Sequence, residues 1–188
     1  VDVVGYSKLS NEQQKTIFQE LFNLLKSSKS YVGPEYCITI PTGDGFVSAF
    51  HTSKAAPLAP LKTAIDLQRM IKKRLLLLPL RAGIHCGINS IVTNPDGGLN
   101  LVGTGINQAT RVMSIGNTNH ILASSEYYQT VVSGNSQYAS ICRPIGDYVV
   151  KHDVSIKVYN VFLNGDFGNP LPPTPIILAP TSSKEEEK

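Results

Sequence analysis

VDVVGYS (residues 1–7) and PTGDGF (residues 41–46) are the two short acidic segments that decide the fold predicted for this sequence. Asp2 lies in a β-branched run typical of a buried strand, where an uncompensated carboxylate costs several kcal/mol. Asp44 lies in a Gly-Asp-Gly turn between two apolar segments. Two strands side by side bring both carboxylates to one sheet edge, and a divalent cation removes their mutual repulsion. The sequence therefore predicts a two-carboxylate magnesium site for phosphate chemistry.

The composition is that of a globular protein. The chain has 188 residues, of which 41% are hydrophobic and 16% charged, enough for one domain with a core. A net charge of +3 without a long basic block predicts no nucleic-acid partner. Three cysteines without CxxC spacing predict reduced thiols and a cytoplasmic location. The leucine run at residues 75–78 is too short to span a membrane, so no membrane partner is expected within this chain. The abrupt start inside a strand pattern indicates a fragment of a longer polypeptide.

Hydrophobic periodicity predicts strands and helices in a mixed order. Strands are predicted at residues 1–6, 36–40, 46–50, 80–87, 88–93, 99–102, 120–123, 141–150 and 157–163. Helices are predicted from the Ser10–Gln13 capping box to residues 27–30, after Pro57 and Pro60 to about Arg74, over residues 105–115, and briefly after Ser124.

This order begins β-α-β-β-α-β, with an antiparallel hairpin between two helical crossovers. It predicts the α+β class, as a ferredoxin-like palm with added C-terminal strands. Residues 165–188 are rich in proline at first and charged at the end. They are predicted to form an extended arm and a disordered tail.

Six short pieces of this chain follow one another in the order known from one enzyme family. They are DVVGYS (2–7), GDG (43–45), RAGIHCG (81–87), Gly103 with NQATR (107–111), ILAS (121–124), and VK (150–151) leading to VY (158–159). Together they resemble the catalytic domain of the class III nucleotidyl cyclases, the adenylate and guanylate cyclase family. The resemblance covers nearly all of residues 1–164, which it implies to be a cyclase homology domain.

The resemblance gives the acidic pair a specific role. It implies that Asp2 and Asp44, helped by the Val3 carbonyl, bind two Mg²⁺ or Mn²⁺ ions per active site. The backbone amides implied to hold phosphate oxygens are those of Val4, Gly5, Tyr6 and Ser7. Two simpler interpretations stay open, since Gly-Asp-Gly also makes a tight hairpin turn and Asp2 can be a solvated chain end.

Three further residues carry implied roles. Asn107 and Arg111 are four apart on one face of a predicted helix, a spacing equally typical of a solvated face. By resemblance, Asn107 orients the ribose and Arg111 stabilises charge on the α-phosphate in the transition state. Lys151 is implied to contact the terminal phosphates, although the following residue is His152 where the family has glycine. An exposed lysine is the simpler interpretation.

The positions implied to read the base depart from the family pattern. Purine cyclases have a lysine four residues before the second metal carboxylate, and an aspartate or threonine three before the asparagine. Here these positions hold Ile40 and Thr104, and isoleucine neither donates nor accepts a hydrogen bond. Thr39 and Thr42 are neighbouring donors that offer a replacement. Family members that make cyclic CMP or cyclic UMP in anti-phage signalling also lack the purine pair, so a pyrimidine substrate and antiviral defence are an alternative.

Three hypotheses follow. The first is an active nucleotidyl cyclase that acts on a nucleoside triphosphate as a head-to-tail homodimer. By resemblance, Asp2 and Asp44 come from one subunit, and the partner contributes Ile40, Thr104, Asn107, Arg111 and Lys151. The second is a degenerate module that binds nucleotide or dimerises to regulate signalling. The third is another palm enzyme such as a diguanylate cyclase, which the single acid at the hairpin disfavours.

Overall fold

Strands and helices succeed one another along the chain in the computed structural model, which describes residues 1–33, 35–51, 56–74, 76–150 and 154–174. In chain order the elements are β1 (Asp2–Val3), α1 (Asn11–Ser27), β2 (Cys37–Pro41), β3 (Phe46–Phe50), α2 (Ala59–Lys73), β4 (Leu80–Ile84), β5 (Ser90–Thr93), β6 (Leu99–Val102), α3 (Thr104–Ile115), β7 (Ile121–Ser124), α4 (Ser125–Tyr127), α5 (Ser136–Ala139), β8 (Cys142–Val150) and β9 (Val154–Val161). A 3₁₀ turn (Tyr6–Lys8) precedes α1, and a π-helical segment (Tyr128–Val132) follows α4.

The central sheet has the strand order β1-β4-β7-β9-β8, in which only β4 and β7 run parallel. The β2-β3 hairpin continues this sheet at β1. Asp2 forms an antiparallel bridge with Gly45, and the Phe46 N–H donates to the Val1 carbonyl at 3.0 Å. The β-α-β-β-α-β unit thus gives the antiparallel set β4-β1-β3-β2, with β7, β9 and β8 added beyond β4. The predicted α+β palm is confirmed.

The first strand is shorter than predicted. The β-branched run favours strand over residues 1–6, but β1 ends at Val3. Gly5 has a left-handed backbone, with φ of 78°, which turns the chain into the 3₁₀ turn. The Lys8 N–H donates to the Gly5 carbonyl at 3.0 Å and closes that turn. The turn at Gly5 therefore ends the strand at Val3, one residue after Asp2.

The two helices of the palm cover one side of this junction. Helix α1 begins at the predicted capping box, where the Ser10 hydroxyl accepts from the Gln13 N–H at 3.4 Å and the Gln13 side chain accepts from the Ser10 N–H at 2.9 Å. Its apolar stripe packs against α2, β1 and β3. The buried residues of this cluster are Val3, Leu21, Leu24, Leu25, Phe46, Leu67, Leu78 and Leu80. Burial of this stripe holds the β2-β3 hairpin against β1.

Helix α3 lies close against β4. It begins at Thr104, one residue before the predicted start, and buries Val112 and Ile115 against β7 and β9. The contact with β4 is made at Gly83. A side-chain carbon at that position would lie 2.5 Å from the Ala109 carbonyl oxygen and would also overlap the Met113 amide. The absence of a side chain at Gly83 thus sets how near α3 approaches the sheet.

The described part of the C-terminal arm, residues 165–174, contacts the body of the domain. Asp166 pairs with Arg69, whose guanidinium lowers the pKa of that carboxyl. The Gly168 N–H donates to the Gln68 side chain at 2.7 Å. The domain boundary after residue 164 remains a prediction, and residues 175–188 of the predicted tail lie outside the described residues. Among the described helices, none has the length and apolar character that a membrane crossing requires.

We expect Gly83→Ala to lower the free energy of unfolding by more than about 2 kcal/mol, because the added methyl meets the backbone of α3. Guanidinium denaturation measures this loss. Gly134→Ala is the matched control, since a side-chain carbon there meets nothing within 4 Å, and it should change stability by less than about 0.5 kcal/mol. Equal effects of the two substitutions would contradict the close approach of α3.

Candidate functional site

The two predicted carboxylates lie on neighbouring backbone segments. Asp2 is bridged to Gly45, and the Val3 N–H donates to the Asp44 carbonyl at 2.9 Å. The side chain of Asp44 is exposed at the hairpin tip, whereas Asp2 is only 5% exposed. Gly43, with φ of 89°, has the left-handed backbone that allows the tight turn between β2 and β3 predicted from the Gly-Asp-Gly sequence. The structure therefore places the backbones of Asp2 and Asp44 side by side where β1 meets the hairpin.

The buried carboxylate of Asp2 is compensated by an arginine. Asp2 and Arg81 are register partners in β1 and β4. Asp2 Oδ2 accepts from Arg81 Nε at 2.8 Å and from Nη2 at 2.6 Å, and Arg81 Nη1 donates to the Gly116 carbonyl at 3.1 Å. The sequence argument required a compensating group at Asp2 and predicted a metal. It missed Arg81, although this residue is the first of the RAGIHCG piece and the second of the strand predicted at residues 80–87.

The remaining oxygen of Asp2 fits a metal. Asp2 Oδ1 is buried and has no hydrogen-bond partner among the described residues. The exposed carboxylate of Asp44 lies on the adjacent segment, and both offer the oxygen ligands that Mg²⁺ prefers. In the part of the chain that the structure describes, no three His, Cys, Asp or Glu side chains form a metal-binding group. A two-carboxylate set of this kind suits Mg²⁺, which is often held by one or two carboxylates together with substrate phosphates.

The predicted phosphate-binding amides differ in availability. The Val4 N–H donates to the Pro79 carbonyl at 2.8 Å and is used by the sheet. Gly5, Tyr6 and Ser7 begin the 3₁₀ turn, where the first N–H groups have no acceptor within the turn. The Tyr6 hydroxyl donates to the Gln14 carbonyl at 3.1 Å, which fixes this segment against α1. Of the four predicted amides, those of Gly5, Tyr6 and Ser7 thus remain available to bind phosphate.

Asn107 and Arg111 lie on the outer face of α3. The inner face of the helix packs on the sheet through Gly105, Val112 and Ile115. Thr104 and Asn107 are exposed and Arg111 is half-buried, so these three side chains share the face turned away from that core. Within the described ranges no hydrogen bond joins them to Asp2 or Asp44. The two groups of predicted site residues are thus not joined by hydrogen bonds in the described part of the chain.

The hairpin places Ile40 on an apolar face. Ile40 pairs with Val47 and shares its face with Ile38 and Ala49. Thr39, one of the two replacement donors, points to the other face. Its hydroxyl lies 2.8 Å from the Ser48 hydroxyl and 3.2 Å from that of Tyr31. This network occupies Thr39 on the far side of the hairpin from Ile40.

Of the two remaining predicted residues, Thr42 lies in the described part of the chain and Lys151 does not. Thr42 lies in the exposed turn, and its hydroxyl donates to Asp44 Oδ1 at 3.5 Å. This bond directs Thr42 to the carboxylate at the hairpin tip. Lys151, which was predicted to contact the terminal phosphates, lies outside the described residues.

A cavity of about 190 Å³ lies beside this junction, between β3 and β4. Helices α2 and α3 contribute to its walls, and none of the predicted site residues lines it. Among its lining residues is His85, whose Nδ1 lies 2.9 Å from the Ser124 hydroxyl. Burial lowers the pKa of His85. Sequence patterns did not single out this histidine, because its surroundings depend on contacts between distant segments.

Comparison with known proteins supports the fold. No family model matches the chain, and no curated protein matches it in sequence. Among solved structures, the chain is similar to the guanylate cyclase domain of RhGC from Catenaria anguillulae in complex with GTP, with 19% identity, a TM-score of 0.68 and coverage of 86% of this chain and 92% of that one.

Two other solved structures are similar to a comparable extent. The adenylyl cyclase CyaB from P. aeruginosa has 20% identity and a TM-score of 0.65, with coverage of 89% of this chain and 93% of that one. A dimeric guanylyl cyclase domain of the RhoGC fusion protein from Blastocladiella emersonii has 19% identity and a TM-score of 0.64, with coverage of 86% and 92%. At this identity the likeness establishes the palm fold that adenylate and guanylate cyclase domains share.

We expect Arg81→Met to lower the free energy of unfolding by about 3 kcal/mol, because it leaves the Asp2 carboxylate buried without its charge partner. Denaturation by guanidinium measures the change. In the double variant Asp2→Asn with Arg81→Met, the loss should be smaller, since no uncompensated charge remains. Arg143→Met, which removes an exposed arginine of β8, serves as the control and should cost less than about 1 kcal/mol. A loss for Arg81→Met no larger than this control would show that the pair does not stabilise the junction.

Proposed function

We propose that this protein is a nucleotidyl cyclase that converts a nucleoside triphosphate to a 3′,5′-cyclic nucleotide and pyrophosphate. The observation that carries the proposal is the meeting of Asp2 and Asp44 where β1 joins the hairpin, in a fold shared with adenylate and guanylate cyclase domains. In the reaction, the ribose 3′-oxygen forms a bond to the α-phosphorus. The bond from that phosphorus to the β-phosphate oxygen breaks, pyrophosphate leaves, and the hydroxyl proton passes to solvent.

In this proposal Asp2, Asp44 and the Val3 carbonyl hold two Mg²⁺ or Mn²⁺ ions. When bound, such ions lower the pKa of the 3′-hydroxyl and neutralise the triphosphate. Arg81 acts as a positioning residue, because it engages Oδ2 of Asp2, while Oδ1 has no hydrogen-bond partner in the described part of the chain. The free oxygen and the exposed Asp44 carboxylate are the groups that support this assignment.

The proposal places the α3 residues in a partner's site. Asn107 orients the ribose, and Arg111 stabilises charge on the α-phosphate as the P–O bond breaks. Lys151 is assigned to the terminal phosphates by the same resemblance. The amides of Gly5, Tyr6 and Ser7 hold phosphate oxygens on the Asp2 side. Because α3 turns Asn107 and Arg111 away from its own core, a head-to-tail homodimer is the arrangement that unites both halves.

The β5-β6 hairpin, next to α3 in sequence, supports this homodimer. A two-stranded hairpin is marginally stable alone, and this one exposes four apolar side chains. They are Ile91, Val92, Leu99 and Val102. Ile91 and Leu99 lie on one face of this hairpin and Val92 and Val102 on the other, so a second copy that rests on one face would cover one of the two pairs.

The proposed substrate differs from ATP and GTP in its base. Ile40 and its neighbours form an apolar face, and Thr39 is engaged on the opposite side of the hairpin. Among the described residues of that face, Ile38, Ile40, Val47 and Ala49 supply no donor of the kind that a purine ring nitrogen requires. We therefore propose a pyrimidine nucleotide as the substrate, with Thr104 as the remaining polar group at the base. The proposal of a role in antiviral defence depends only on this preference for a pyrimidine base.

A second candidate function is a degenerate cyclase-like module that binds nucleotide or dimerises to regulate signalling. Two observations favour it, the isoleucine at position 40 and the commitment of one Asp2 oxygen to Arg81. The retained Asp44, Asn107 and Arg111 favour the enzyme. Turnover separates the two functions directly.

We expect the protein, incubated with Mn²⁺ and each of the four nucleoside triphosphates separately, to form a 3′,5′-cyclic nucleotide that chromatography resolves from its substrate. CTP or UTP should react faster than ATP or GTP. Asp44→Ala should lower turnover by at least about 100-fold, since it removes a proposed metal ligand and costs ~3 kcal/mol of transition-state stabilisation.

Asp96→Ala is the matched control for Asp44→Ala, because Asp96 is also an exposed carboxylate at a hairpin turn, where it accepts from the Gly98 N–H. It should leave turnover unchanged. No cyclic product from any triphosphate would refute the enzyme, and full activity of Asp44→Ala would refute the metal assignment.

We further expect a mixture of the Asp44→Ala and Asn107→Ala proteins to regain part of the activity that each lacks. A mixed dimer has one site built from an intact Asp2–Asp44 pair and an intact α3 face. The control mixture joins Asp44→Ala to the double variant Asp44→Ala with Asn107→Ala, in which no intact site can form. Native mass spectrometry establishes that mixed dimers are present. If they are present and no activity returns, the sites are not shared between subunits.

A further inference from the structure

A second groove lies between the C-terminal half of α2 and the chain that follows β9. Its volume is about 610 Å³, within the range of roughly 300–1,000 Å³ that is typical of ligand-sized clefts. Its walls come from α2, from residues 76–79 before β4, from residues 118–119 before β7, and from residues 163–168. We call it the α2–arm groove. None of the residues assigned to the proposed catalytic site lines it.

The α2–arm groove presents apolar side chains to water. Leu77 is 97% exposed and Leu163 is 46% exposed, and both line the groove. Ile71 and Leu76 also line it and are only half-buried. A single exposed leucine is ordinary, but apolar side chains that line one groove together mark an interaction surface. The described residues leave this surface without a cover.

The groove is basic where α2 ends. Lys72 lines it, and Lys73 follows on the same exposed end of the helix. Asp166 is the acid that lines the groove, and its carboxylate pairs with Arg69. In the part of the chain that the structure describes, no carboxylate forms an ion pair with Lys72 or Lys73. An acidic segment beside the groove would therefore meet two ammonium groups.

The C-terminal arm brings the chain to one end of this groove. The Thr174 N–H donates to the Asn117 side chain at 2.8 Å, and Pro173 is buried. Asn117 is next in sequence to Thr118, which lines the groove. Residue 175 therefore starts beside the groove. From there an extended segment of about six residues spans roughly 20 Å.

The sequence after Thr174 matches the groove in the order of its chemistry. PIILAP (175–180) is apolar, and TSSKEEEK (181–188) contains three consecutive glutamates. The groove changes in the same order. Gln68 lies at the end near Thr118, since its side chain donates to the Asn119 carbonyl at 2.9 Å, and Lys72 is one helical turn further along α2.

We propose that residues 175–180 dock in the α2–arm groove of their own chain, with Glu185–Glu187 paired to Lys72 and Lys73. The large apolar side chains of this segment take Leu77 out of water. The prolines at both ends of PIILAP suit it, because residues before proline favour an extended backbone. The segment returns along the arm and closes the groove.

A single tryptophan tests the docking, since the chain contains none. In Ile177→Trp we expect fluorescence at a shorter wavelength than in the denatured protein, because the docked indole is removed from water. Adding Leu77→Asp, which places a charge in the apolar lining, should return the emission to the denatured wavelength. Adding Ile88→Asp is the matched control, since Ile88 is 85% exposed and lies outside the groove, and it should change nothing. Emission at the denatured wavelength in all three proteins would overturn the proposal.

Hydrogen exchange tests the chain without a reporter. Amide exchange at residues 176–178, followed by NMR, should be at least about tenfold slower than in a free peptide of residues 175–188. Leu77→Asp should remove this protection and Ile88→Asp should not. Replacing the three glutamates by glutamine should speed the exchange by about two- to fivefold, since exposed ion pairs are weak. Exchange as fast as in the free peptide would overturn the docking, and an unchanged rate in the glutamine variant would overturn the pairing with Lys72 and Lys73.

Dilution and vesicles identify any other occupant. The emission of Ile177→Trp should not depend on protein concentration, because the segment docks in its own chain. A return to the denatured wavelength on dilution would assign the groove to the segment of a second copy and overturn the proposal. Binding of the chain to phosphatidylserine vesicles that Leu77→Asp abolishes, without protection of residues 176–178 in their absence, would assign it to a lipid surface instead. None of these readouts uses turnover, so the docking stands or fails independently of the proposed cyclase activity.

Discussion

A two-residue strand determines the arrangement of everything around it. β1 pairs with β4 on one side and with the hairpin on the other, so it is the only element that joins the β2-β3 hairpin to the sheet within the described residues. The hydrogen bonds that make this junction involve Val1, Val3 and Val4. The apolar stripe of α1 then covers it. The pairing of β1 therefore fixes the position of Asp2 and the position of the hairpin tip together.

The ion pair of Asp2 with Arg81 explains how a carboxylate occupies the centre of that junction. Removing two charges from water is costly, and the bidentate geometry of the guanidinium offsets the cost. The guanidinium offsets this cost at only one carboxylate oxygen, since Nε and Nη2 of Arg81 both donate to Oδ2 of Asp2. The second oxygen is left buried and has no hydrogen-bond partner among the residues that the structure describes. An unsatisfied atom of this kind is expensive for stability alone, and a bound cation is the ligand that would relieve it.

Features that depend on neighbouring residues could be predicted from the sequence, whereas features that depend on contacts between distant residues could not. The Ser10–Gln13 capping box and the Gly-Asp-Gly turn act within a few residues, so both could be located from the sequence. The end of β1 could not, because the left-handed conformation of Gly5 is one of several that glycine adopts. Arg81 could not be assigned to Asp2, since their pairing depends on the register of strands far apart in the chain. The engagement of Thr39 by Ser48 and Tyr31 is equally a product of tertiary contacts.

The placement of Asn107 and Arg111 on the outer face of α3 follows from packing. Gly83 lets the backbone of α3 settle on β4, and this close contact fixes the rotation of the helix about its axis. With Val112 and Ile115 buried, Asn107 and Arg111 have only the outer face available. Turning them toward Asp2 in the same chain would expose that apolar face and lose its burial energy. In the proposed enzyme a second subunit would bring the two groups of residues together without unpacking either, and dimerisation and catalysis would then be coupled.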